Sequence, residues 1–266
     1  MVLYLPFLVQ IAFMLGFPLA LGFYIWKRLG IRWSLFGVGT ITFIVSQVVH
    51  LPLNSGLTAA FKVGWLPKLP EAIHLPFNAV VLGLTAGLCE ELARYLVYRF
   101  WIRKARTWRE ALMFGAGHGG VESIILGLLV ALTFVNMLAL RGMDLSALGL
   151  PADQLEALRE QVTTYWALPW YVPLLAGAER FFAICLHVAM AVVVLQVFIR
   201  GKLRYLFAAM AYHALTDATA IYAAGLGWSP QALEGLVALF AVISLVIIWW
   251  YRPRRNEAGM NQMVSY

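Results

Sequence analysis

The sequence predicts an all-α polytopic membrane protein, a bundle of about seven membrane-crossing helices, and three observations carry that reading. Hydrophobic residues make up 62% of the 266-residue chain and charged residues only 12%, against roughly 45–50% and 25% in soluble domains, and the mean hydropathy is +0.79. Apolar stretches of about 20 residues, the length that crosses a bilayer, recur along the chain. The basic residues between them gather on alternate connections, as Lys and Arg do in cytoplasmic loops.

The expected spans are 3–26, 35–53, 77–98, 111–140, 168–199, 206–226 and 232–251. The first holds no charged residue and has no positive segment before it, so it reads as a retained anchor rather than a cleaved signal peptide. Lys27, Arg28 and Arg32 close it. The second carries Gln47 and His50 on one face near its outer end, read as packing or interfacial hydrogen bonding. The 51–76 stretch that follows, with Pro52, Pro67, Pro70, Pro76 and Trp65, reads as an interfacial or partly re-entrant loop.

Arg99, Arg103, Lys104, Arg106 and Arg109 follow the third span. After the fourth, Pro151 precedes a 153–162 segment in which Leu155, Leu158 and Val162 recur at helical spacing, a short amphipathic helix on the outer interface. The fifth opens near Glu179 and Arg180, placed at the outer boundary where a snorkelling pair costs little, and ends at Arg200, Lys202 and Arg204. Arg252, Arg254 and Arg255 follow the seventh. The opposite loops hold only Lys62, Lys68, Arg141 and Arg159, mixed with acids. The N-terminus is therefore expected outside and the C-terminus in the cytoplasm, with residues 1–266 forming one integral membrane domain.

The net charge of +7 is accounted for by this loop bias and by attraction to anionic headgroups of the lipid bilayer; no pattern calls for nucleic acid. Cys89 and Cys185 lie within spans, which argues against a disulfide and for two small hydrophobes.

Function is expected where charge enters hydrocarbon. Ionisable side chains there cost several kcal/mol, face the bundle interior and mark sites. Glu90, Glu91, Arg94, His118, Glu122, His187, His213 and Asp217 all lie in otherwise apolar spans, within a core at about 77–226. On a helix either glutamate reaches Arg94, which leaves the other available for general acid–base chemistry. His118 and Glu122 share a face, among Gly115, Gly117, Gly119 and Gly120, glycines that permit close helix approach or a local break. The pair suits two metal ligands, or a ligand with its orienting partner. His213 and Asp217 repeat this spacing, whereas His187 stands alone on an apolar face and reads equally as core or participant.

Counted from the nearest cytoplasmic basic residues, Glu90, His118 and His213 fall in a layer about 13 Å deep, and Glu122, His187 and Asp217 in one about 20 Å deep. Peptide hydrolysis needs an activated water, a base, a proton donor and oxyanion stabilisation. Glu90 or Glu91 with His118 could supply the first two and His213 the last. If Zn²⁺ takes part, His118, His213 and either His187 or Glu122 give three ligands and an open position, although no HExxH is present. The same buried groups also suit a proton-coupled or metal-ion transporter, against which stands the lack of an inverted repeat.

Glu90-Glu91-x-x-Arg94, Phe114-x-x-x-His118 and His213-x-x-x-Asp217, in that order, resemble the motif set of the CAAX protease and bacteriocin-processing superfamily and its PrsW relatives. With the GAGHGGVE segment and the overall length, the chain looks most similar to the YhfC family of intramembrane proteases. The resemblance covers the third to sixth spans. It implies a protease of the metallo- or glutamic type in a bacterial plasma membrane, acting on a membrane-embedded or lipid-anchored peptide. Glu90 or Glu91 would activate water, His118 would help hold it, and His213 with Asp217 would stabilise the oxyanion. Two departures stand out: the Glu-Glu-x-x-Arg spacing is one residue shorter than in the CAAX-processing enzymes, and Asp217 replaces a common Asn. His187 and Glu122 have no role to carry over.

Overall fold

The computed structural model describes residues 4–253, so Leu3, Arg254 and Arg255 of the expected boundaries lie outside the described residues. Eight α-helices follow one another among the described residues: α1 (Tyr4–Leu29), α2 (Ser34–Lys62), α3 (Glu71–Leu96), α4 (Trp108–Arg141), α5 (Ala152–Ala167), α6 (Tyr171–Arg200), α7 (Arg204–Gly225) and α8 (Pro230–Trp250). Among the described residues there is no strand. Six helices, α1 to α4, α6 and α8, are long and apolar enough to cross a membrane; this is a polytopic membrane bundle.

The remaining expected span exists as α7 but is not among those six, because His213, Thr216, Asp217 and Thr219 interrupt its apolar run. Its surroundings compensate. α7 packs along α3 in the most extensive helix pairing of the bundle, and His213 and Thr216 are buried there, so polar groups that lipid would reject are covered by protein.

The proline-rich 51–76 segment is mostly helix rather than the loop expected of it. α2 continues through Pro52 to Lys62 and α3 starts at Glu71, before Pro76, which leaves only residues 63–70 between them. A proline removes a single N–H, while abandoning the helix would strand several backbone groups at a cost of several kcal/mol each in hydrocarbon. The amphipathic helix expected over 153–162 is present as α5 and extends to Ala167. Its Val162 and Trp166 pack on Phe7, Phe134 and Met137.

α6 is the central pillar. Residues 184–197 are buried without interruption, as expected of a helix that is apolar all round, and α1, α3, α4, α7 and α8 all pack against it. Outward faces display Val48, Leu84, Leu128, Val135 and Val242, an apolar exterior suited to lipid.

The glycine-rich stretch of α4 serves close approach, with no break: the helix is continuous from a Thr107–Glu110 capping box to Arg141. A Cβ on Gly117 would strike the Phe36 carbonyl of α2, and one on Gly39 would strike Phe114 O and the His118 amide. Gly119 faces the His187 ring, where a Cβ would sit 2.8 Å from Cδ2. Small residues thus bring α4 onto both α2 and α6, and His118 and His187 come within reach of each other.

Candidate active site

Glu90 and Glu91 are consecutive, so their side chains leave α3 about 100° apart, and each meets a different set of helices. Glu91 is completely buried. Its Oε1 pairs with Arg94 and also accepts from His213 Nδ1 of α7 at 2.7 Å. Glu90 points toward α2, α4 and α6. Its Oε1 accepts from Gln47 Nε2 at 3.1 Å and its Oε2 from His118 Nε2 at 3.0 Å, with His187 Nδ1 3.8 Å from that same Oε2. Arg94, also fully buried, sends Nη2 to His187 Nδ1 at 2.7 Å and to within 3.6 Å of Glu90 Oε2.

His187 is no bystander in the core. With Nδ1 accepting from Arg94, its proton sits on Nε2, which donates to Glu122 Oε2 at 2.6 Å. The other Glu122 oxygen receives Arg180 at 3.0 Å, and Arg180 is paired in turn with Glu179. His213, held on Glu91 by one nitrogen, turns Nε2 toward Asp217 at 3.5 Å. Glu90 and His118 thus pair across one level and Glu122 and His187 across the next, with His187 joining the two.

Two participants lay outside the expected set. Gln47, read as a packing residue, is the hydrogen-bond donor to Glu90. Arg180, placed at the outer boundary, reaches Glu122. Arg180 and His187 are two helical turns apart on one face of α6, and both reach Glu122 of α4. Neither Gln47 nor Arg180 carried a signal within its own helix, because each partner is on another one.

A cavity of about 120 Å³ opens beside this cluster, with Glu90, Glu122, Arg180, His187, His213 and Asp217 in its wall. Glu91 and Arg94 do not line it. Asp217 and Glu122 are more accessible than Glu90 and Glu91, at 32% and 23% side-chain exposure.

One ligand atom each from Glu90, His118 and His187 lies within 4.8 Å of the others, and all three residues are buried. The set expected from sequence had His213 in it; the group brought together has Glu90 instead, while His213 lies between Glu91 and Asp217. Around these donors, five carboxylates (Glu90, Glu91, Glu122, Glu179 and Asp217) meet two guanidiniums (Arg94 and Arg180). Counted as ionised, these groups carry a negative excess that a divalent cation would reduce. His118 Nδ1 is also buried with no hydrogen-bond partner. Mixed imidazole and carboxylate donors of this kind suit zinc and similar ions, and the residues fit such an ion.

Fold and site together define a class: a polytopic membrane protein with a carboxylate–imidazole cluster buried between its helices, fit for a metal ion and bordered by a cavity. The chain belongs to the YhfC intramembrane metalloprotease family, whose profile matches residues 11–241. It is 30% identical over 247 residues to the uncharacterized membrane protein YhfC of Bacillus subtilis (strain 168), an alignment that covers 91% of this chain and 93% of that relative. No solved structure matches it.

Proposed function

We propose that the protein is an intramembrane metallopeptidase that hydrolyses a peptide bond in a membrane-embedded or lipid-anchored peptide. The observation that carries this reading is the convergence of Glu90, His118 and His187 from α3, α4 and α6 to within 4.8 Å beside a cavity lined by His213 and Asp217. These three residues would hold a zinc-type ion, which supplies Lewis-acid polarisation of a carbonyl and an acidified water.

The remaining chemistry falls to the chain's own groups. Glu91, with Arg94, is a fixed structural counter-ion that keeps the His213 proton on Nδ1. His213 Nε2 then stands at the cavity wall next to Asp217, where it takes or returns a proton, or in its protonated form faces a developing oxyanion. Glu122, held by Arg180, orients His187 through Nε2, the outer partner that metal-binding histidines generally have. The resemblance of the motif order to that of the CAAX-processing enzymes supports a peptidase. The alternating basic loops support an outside N-terminus and a cytoplasmic C-terminus, in the plasma membrane of a bacterium, consistent with the origin of the relative.

The test is metal analysis of detergent-purified protein beside Glu90→Gln, His118→Ala and His187→Ala, followed by mass spectrometry of new protein N-termini in membranes incubated with each. Near-stoichiometric zinc and new termini in wild type alone are expected. Metal flux across proteoliposomes without new termini would replace this reading with a transporter.

A further inference from the structure

A polar chain runs from Glu90 along the contact between α2 and α3. Gln47 Nε2 donates to Glu90 Oε1 at 3.1 Å, His50 Nδ1 lies 3.1 Å from Gln47 Oε1, and Asn54 Nδ2 lies 2.9 Å from His50 Nε2. Thr85 of α3 closes the far end, donating to Asn54 Oδ1 at 2.9 Å.

The donor roles follow from the carboxylate. A carboxylate only accepts, so Gln47 must turn its amino group to Glu90 and its carbonyl to His50. His50 then carries its proton on Nδ1 and accepts at Nε2 from the Asn54 amino group, whose carbonyl takes the Thr85 hydroxyl. Every donor in the Asn54–His50–Gln47 run points toward Glu90, an arrangement in which successive bonds strengthen one another. These side chains are half-buried on a stretch of α2 that otherwise shows Val45, Val48, Val49 and Leu51 to the exterior. Polar groups at such a place are costly unless they have a task.

That task is legible at Glu90. Its Oε2 faces His118 and His187, while Arg94 Nη2 waits 3.6 Å away as a competing cation. With Oε1 released, the carboxylate is free to rotate and close a second ion pair with Arg94. We propose that Gln47 and His50 are positioning residues of the metal site: anchored by Asn54 and Thr85, they hold Glu90 Oε1 and keep Oε2 as the single ligand oxygen on the side of His118 and His187. This rests on the metallopeptidase reading.

The experiment measures the zinc dissociation constant, and the visible spectrum with Co²⁺, of the detergent-purified full chain as wild type, Gln47→Met, His50→Phe, Glu90→Gln and Gln47→Met/Glu90→Gln. Gln47→Met is expected to weaken zinc by about 10–100-fold, the usual cost of losing a ligand's outer partner, and His50→Phe by less. In the Glu90→Gln background Gln47→Met adds almost nothing, because its effect passes through Glu90. Affinity unchanged in Gln47→Met, or weakened equally in both backgrounds, overturns the positioning role and leaves the metallopeptidase reading standing. Wild-type protein that takes up neither zinc nor cobalt overturns both. Should Gln47→Met fail to fold, Thr85→Val removes the far anchor at nearly constant shape. A several-fold loss of zinc affinity in that variant is expected, and no loss overturns the proposal.

Discussion

Glu90 and Glu91 are the same side chain at consecutive positions of α3, yet the two sides of the helix turn them into different things. On the α7 side Glu91 is sealed, bound to a permanent cation and to His213, and excluded from the cavity wall. On the other side Glu90 accepts its hydrogen bonds from an amide and an imidazole, with Arg94 farther off at 3.6 Å, and borders the cavity. In surroundings of low dielectric, a carboxylate locked to a guanidinium serves as structure, whereas one held by weaker, exchangeable partners remains available to a ligand.

The hardest way to break this contrast is to remove Arg94. Arg94→Met leaves Glu91 buried and uncompensated, at about 3–5 kcal/mol, and should abolish a monodisperse folded species in detergent gel filtration; Glu91→Leu added to it should restore part of the yield. On the other side Glu90→Gln should keep the thermal midpoint within a few degrees while zinc affinity and cleavage each fall by about 100-fold or more. A collapse of both variants alike would erase the distinction.

Smaller changes sharpen it. Gly117→Val drives a side chain into the Phe36 carbonyl and should cost about 1–3 kcal/mol as overpacking, read as a lower thermal midpoint, with zinc affinity falling too because α4 carries His118. Arg180→Met should weaken zinc about tenfold through Glu122 and His187 at nearly constant thermal stability, with Arg180→Lys partly restoring it. The smallest effect is expected from Cys89→Ser/Cys185→Ala: both thiols are free, and reducing agent should alter neither stability nor metal content.

Much of this was legible beforehand for a reason particular to membranes. Once composition sets the solvent as lipid, each ionisable residue in a span must find a partner inside the bundle, so Glu90, Glu91, Arg94, His118, Glu122, His187, His213 and Asp217 stood out as one set. The Glu91–Arg94 pair was readable because residues three apart on a helix touch. Gln47 was not readable as a partner of Glu90, nor Arg180 as a partner of Glu122, because neither pairing lies within one helix. The 51–76 segment misled for a different reason: proline is a strong breaker in water, but in an apolar environment the backbone has nowhere else to place its hydrogen bonds.

By itself, then, the sequence determined the solvent, the helices and the membership of the buried polar set, since hydropathy and local helical spacing depend on nearby residues alone. Which glutamate became the counter-ion, which histidine joined Glu90 and His118, and what steadies Glu90 were decided by tertiary structure. Those outcomes depend on the rotation of each helix against its neighbours, set by close contacts such as Gly39 with Gly117 and by the packing of α6 on five other helices, and a turn of one residue about a helix axis would exchange one partner for another.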